Sequence, residues 1–158
     1  MPNWWPFGAR PAAVDGTRWV VLDVETSGLD ASRDRLLAIA AVAVRVDWSR
    51  RRLATDLADS FEVFLHQPQP SSRDNILLHG IGAARQAAGV PAGEAMRGFA
   101  DYAAVSPLLA FHAVFDRTMV NRHAADALGS PLPNAWLDIE HLCGVAYPQV
   151  RARSLDEW

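Results

Sequence analysis

One octapeptide constrains this chain more than any other segment: residues 18–25 read Arg-Trp-Val-Val-Leu-Asp-Val-Glu. An unbroken run of β-branched and apolar residues predicts a buried strand, yet this run closes on two carboxylates. Side chains alternate faces along a strand, so Asp23 and Glu25 project from the same side. Two negative charges side by side near the end of an apolar strand are costly unless an opposite charge compensates them. A divalent cation would do so, and an oxygen-only donor set suits Mg²⁺ or Mn²⁺ rather than Zn²⁺. Taken alone, the pair reads equally well as an exposed acidic strand end solvated by water.

The rest of the chain sets the architecture around that strand. Residues 26–30, Thr-Ser-Gly-Leu-Asp, break it as a turn. Residues 36–46 form a second long apolar run; its alanines leave helix open, while its β-branched residues favour a central strand. Residues 47–52 are polar and turn-like, and residues 60–66 alternate as a third strand paired to the second. A loop at 67–70 leads to a short helix capped by Ser71 or Ser72 and running through Leu78. Residues 79–82 break the chain again. Ala95, Met96, Phe99, Tyr102 and Ala103 give residues 93–105 the spacing of an amphipathic helix. A short strand is expected at 108–111 and a helix at 116–128, stopped by Gly129 and Pro131. Residues 136–138 suit another brief strand, 139–145 a helix, and Ser154 a further helix start. Three strands followed by helices alternating with two more strands imply an α/β fold with antiparallel and parallel strands in one sheet.

Composition narrows the function classes. The 158 residues suit one domain, with residues 1–16 as an N-terminal extension and 17–158 as the folded unit. A formal net charge of −3 offers no overall basic field for coating nucleic acid, although a few arginines could still grip one strand end. Arg50, Arg51 and Arg52 read as a solvated hairpin tip before they read as a phosphate contact. Cys143 is the only cysteine, so no internal disulfide forms and a reducing compartment is expected. No apolar run reaches the roughly 18–20 residues that span a bilayer, and the N-terminus lacks a signal-peptide pattern. A cytoplasmic protein without a membrane partner is the simplest expectation. Trp4 and Trp5 are expected to dock on the domain's own surface.

Asp23-Val24-Glu25-Thr26-Ser27-Gly28-Leu29 resembles the first motif of the DEDD-type (DEDDh) 3′→5′ exonucleases, the group that includes DNA polymerase III epsilon-like proofreading subunits; Ser27 stands where Thr is commoner. Phe111-His112-Ala113-Val114-Phe115-Asp116 resembles the second motif, with His112 at a position where Asn is usual. His79-Gly80-Ile81 is similar to the His-Gly-Ile between those motifs, and Trp136-Leu137-Asp138 to a short structural strand of the family. Ser154-Leu155-Asp156 resembles the start of the helix preceding the third motif. The His and Asp of that third motif, five residues apart, have no counterpart in the chain.

The resemblance implies a ribonuclease H-like mixed sheet of three antiparallel then two parallel strands, flanked by helices and truncated in its C-terminal part. It implies Asp23, Glu25 and Asp116 as catalytic residues that hold two Mg²⁺ or Mn²⁺ ions. Thr26, Ser27, Gly28, Leu29, His79, His112 and Phe115 would contact the substrate, with Leu29 wedged against the last bases. The implied reaction releases 5′-mononucleotides from a single-stranded 3′ end, DNA favoured over RNA, with a DNA polymerase as a possible partner. Without the third motif the 158 residues by themselves are expected to be inactive or severely impaired. The competing classes are a non-catalytic nucleic-acid or protein-binding module, an RNA-trimming exoribonuclease, and a small metal-dependent hydrolase of another phosphoester.

Overall fold

A computed structural model describes residues 16–152 and 154–158. The expected extension, with Trp4 and Trp5, lies outside the described residues apart from Gly16. Strands β1 (Arg18–Thr26), β2 (Leu36–Asp47) and β3 (Arg52–Phe64) come first. Helices α1 (Arg73–His79), α2 (Ala83–Ala87) and α3 (Ala92–Ala103) follow, then β4 (Leu108–Ala110), α4 (Ala113–Leu128), β5 (Trp136–Asp138) and α5 (Ile139–Ala146), with a closing 3₁₀ turn at Leu155–Glu157. The sheet order is β3-β2-β1-β4-β5, antiparallel among the first three and parallel from β1 to β5. This is the ribonuclease H-like arrangement expected from the sequence.

Alternation along β1 decides which face of the sheet does what. Val20, Leu22, Val24 and Thr26 are buried. The three valine and leucine side chains join Met96 and Phe99 of α3 and Met119 and Val120 of α4 in one core. Burying such side chains contributes roughly 1.5–3 kcal/mol each, which fixes the register: a slip of one residue would turn Asp23 and Glu25 into that core. The opposite face keeps Val21, Asp23 and Glu25 partly open.

Three elements differ from the sequence expectation. β3 starts at Arg52, eight residues before the expected 60, because residues 52–56 pair with β2 in an edge strand whose side chains, leucines included, largely face solvent. An edge strand with both faces open carries no inward apolar alternation to announce it. α2 is an additional single turn without a side-chain cap, held by the buried Gln86, which bonds Ser71 and the Ile81 carbonyl. α4 begins at Ala113, three residues ahead of Asp116, so Asp116 sits in its first turn. Gly129 ends α4 at φ 85°, a left-handed conformation that glycine adopts without a Cβ clash. Ser72, one of the two proposed caps, accepts from the Asn75 amide.

Candidate active site

Asp23 and Glu25 stand above a low floor. In register, Asp23 lies opposite Ala40 and then Glu62 of β3, while Glu25 lies opposite Ala38 and then Phe64. Alanines between the carboxylates and the β3 side chains leave the acidic groups unobstructed. The first turn of α4 brings Asp116 to the same cleft, about 490 Å³ in volume, whose wall includes Asp23, Glu25 and Asp116. Asp116 is only 4% exposed, and its Oδ1 is buried with no hydrogen-bond partner.

The electrostatics follow from that crowding. Burial raises the Asp23 carboxyl above its ordinary range, opposed by a hydrogen bond from the Val24 backbone. Burial, and then the Asp23 charge, raise Glu25. Asp116 is pushed up to about 7, by burial first and the Asp23 charge second. Asp23 is thus the shared neighbour of the other two. Among the described residues, no three acidic, His or Cys side chains are drawn close enough to enclose a metal ion. The donor set fits an open site instead: a hard divalent cation takes a few carboxylate oxygens and fills its remaining positions with water or phosphate oxygens. The buried, unpartnered Asp116 oxygen is the observation that such an ion would satisfy.

The turn after β1 forms one rim of the cleft. Thr26, Gly28, Leu29, His79, His112 and Phe115 line it together with the carboxylates. Leu29 is 90% exposed at the tip. Several of the expected substrate contacts are already engaged within the protein. Thr26 is buried and its hydroxyl donates to the Gly28 carbonyl at 2.6 Å. The Ser27 hydroxyl turns away from the cleft, donating to Asp34 Oδ1 and accepting from the Arg35 amide, both at 2.9 Å. His79 accepts the Ile81 amide at Nδ1 and meets Asn75 Oδ1 at Nε2 (2.7 Å), which makes its Nε2 the protonated nitrogen. Asn75 in turn donates to the Thr26 carbonyl. His79 therefore braces the turn through Asn75, and burial lowers its pKa in keeping with a neutral ring.

His112 occupies the junction of β4 and α4 at φ 59°, ψ 45°, and its Nε2 lies 3.2 Å from Glu140. Asp138 locks the two backbones: its Oδ2 accepts the Ala113 amide and its Oδ1 the Glu140 amide. The sequence singled out Asp138 as the end of a structural strand, as found, but not Asp34, Asn75 or Glu140. Only Asn75 carried a usable signal, since it stands four residues before His79 on a helix and so shares its face.

A family model described as an exonuclease (RNase T) matches residues 20–158. Among curated proteins, the DNA polymerase III PolC-type of Bacillus cereus is 28% identical over 138 residues, covering 87% of this chain and 9% of its own length. That of Caldanaerobacter subterraneus is 28% identical over 149 residues, covering 94% and 10%. The chain thus spans about a tenth of the length of these relatives. Among solved structures, a product-bound exonuclease I matches with TM-score 0.68 at 16% identity, covering 89% of this chain and 35% of that one. An Escherichia coli exonuclease I in complex with a dT13 oligonucleotide matches with TM-score 0.66 at 16% identity, covering 89% and 32%. At that identity the likeness shows the fold.

Proposed function

The chain belongs to the DEDD-type exonuclease family whose model spans residues 20–158, and on that premise we propose that it forms the metal-binding part of a 3′→5′ exonuclease acting on single-stranded DNA ends. One observation carries the reading: a buried carboxyl on α4, with an unpartnered oxygen and a pKa near 7, shares a cleft with the acidic pair that closes β1. Asp23, Glu25 and Asp116 would hold two Mg²⁺ or Mn²⁺ ions, which supply charge stabilisation to the attacking and leaving oxygens of a phosphodiester. Without that charge, three carboxylates would repel a phosphate. Leu29 and Phe115, apolar and on the cleft wall, offer surfaces against the terminal base, and His112 lies within the same wall. The DNA polymerases among its relatives, and the similarly folded exonuclease I bound to a deoxyoligonucleotide, support DNA as substrate and a polymerase as partner.

The folded unit in this reading is residues 17–158. The sequence places no histidine five residues before an aspartate beyond α4, so the chain by itself should bind a metal-loaded strand end but hydrolyse it poorly. The test is fluorescence anisotropy with a labelled single-stranded oligonucleotide carrying a free 3′ hydroxyl, titrated with and without Mn²⁺. Binding should require Mn²⁺, disappear in Asp23→Ala and Asp116→Ala, and weaken when the 3′ end is phosphorylated. Binding indifferent to Mn²⁺ would instead identify a non-catalytic module. A preference for RNA of the same sequence would move the substrate to RNA. Robust Mg²⁺-dependent trimming by these 158 residues, abolished in Asp23→Ala, would refute the expected impairment.

A further inference from the structure

The Thr26–Leu29 turn is held by a residue that neither the motif nor the cleft wall identifies. Asp34 lies on the loop returning to β2, outside the cleft. Its Oδ1 accepts the Ser27 hydroxyl and its Oδ2 accepts the Asp30 amide, each at 2.9 Å, so one carboxylate ties the turn on both sides of Gly28 and Leu29. Gly28 packs directly on it: a Cβ added there would stand 2.4 Å from Oδ2 and 2.8 Å from the carboxyl carbon. Backbone bonds complete the closure, with the Ser27 amide donating to the Arg35 carbonyl and the Asp34 amide to the Asp30 carbonyl.

The loop is in turn anchored to α4. Arg122 donates to the Asp34 carbonyl, and the Leu36 amide donates to His123 Nε2 at 3.3 Å, while His123 Nδ1 meets the Met119 carbonyl. Asp116 lies six residues before Arg122 on the same helix. One rigid element therefore carries a candidate metal carboxylate and the support of the turn.

We propose that Asp34 is a positioning residue that sets the turn's height over the cleft, and so determines how tightly a 3′ end is held, without touching substrate or metal. This rests on the exonuclease reading above. Asp34→Ala should lower affinity for a 3′-hydroxyl oligonucleotide roughly tenfold, while Mn²⁺ affinity, read by electron paramagnetic resonance on the same samples, stays unchanged. Asp34→Asn keeps an acceptor for Ser27 but presents an amide to the Asp30 N–H, so its loss should be intermediate. Gly28→Ala should reproduce the defect in the wild-type background and add little in Asp34→Ala, where the obstructing carboxylate is gone; such non-additivity is the signature of a shared contact. If the wild type shows neither Mn²⁺ binding nor Mn²⁺-dependent 3′-end binding, the exonuclease reading fails and this inference with it. If the wild type binds both while Asp34→Ala keeps full end affinity, or loses Mn²⁺ in parallel, only the role of Asp34 is overturned.

Discussion

Replacing Asp116 with asparagine should stabilise the metal-free protein at alkaline pH while removing its response to divalent ions. Asp116 is 4% exposed, its Oδ1 has no partner, and its carboxyl titrates near 7 rather than at the ordinary 3.8. Because the folded-state value is raised, the folded chain holds more protons than the unfolded one between those limits. The contribution to stability is full below 3.8, falls as pH rises, and is lost once pH passes about 7. That interval corresponds to about 4 kcal/mol at about 1.4 kcal/mol per pH unit. Asparagine keeps the shape without the charge, so the variant should exceed the wild type by about 2–4 kcal/mol at pH 8 in chelator, and by far less at pH 4. Urea unfolding at several pH values measures the difference, with equal slopes required for a clean comparison. Added Mn²⁺ should then raise the wild-type midpoint at pH 8 and leave the variant unmoved. Equal pH dependence in the two proteins would refute the argument, since Asp116 would then not be the group whose ionisation the fold resists.

Other outcomes follow from the packing. Phe99→Ala removes a fully buried ring where α3 meets the sheet and should cost roughly 3–5 kcal/mol by urea unfolding. Gly89→Ala would place a Cβ 2.5 Å from the Leu65 carbonyl carbon and 2.6 Å from the His66 nitrogen. It should therefore speed amide exchange at His66 and Val90, whose bonds to Val90 and Phe64 hold that crossing. Burial lowers the His123 pKa below 6.5, so its contribution is complete above 6.5 and lost as pH falls through the depressed value. A nitrogen spectrum of His123 should show a neutral ring protonated at Nδ1 at pH 7, and a charged ring there would contradict the bond from Leu36.

The sequence made the central strands legible because burial writes itself as pattern: Val20, Leu22 and Val24 alternate with Val21, Asp23 and Glu25, and only one face can enter a core. The same logic made the acidic pair visible as an anomaly. Asp116 was recognisable through the Phe115-Asp116 resemblance, since nothing in helical periodicity separates a buried aspartate from an exposed one. The first half of β3 escaped because an edge strand facing water needs no apolar signature. Ser27 and His79 were visible as residue types but not as partners: whether a hydroxyl or an imidazole faces substrate or another side chain depends on contacts seven residues away in one case and four in the other. Asp34 escaped for the same reason, because an aspartate that ties a turn looks like any surface aspartate until the chain is folded, whereas Asp138 was visible through the resemblance of Trp136-Leu137-Asp138 to a structural strand.

The left-handed backbone at His112 sets stability against the side chain it presents to the cleft. A side chain other than glycine at φ 59° costs roughly 1–2 kcal/mol, and glycine or asparagine there would relieve much of it. Either change would also surrender the imidazole that meets Glu140 of α5. Anyone hardening this protein against heat would find the junction of β4 and α4 an inviting target, and would be trading away a cleft-wall imidazole and its contact with α5 to gain it.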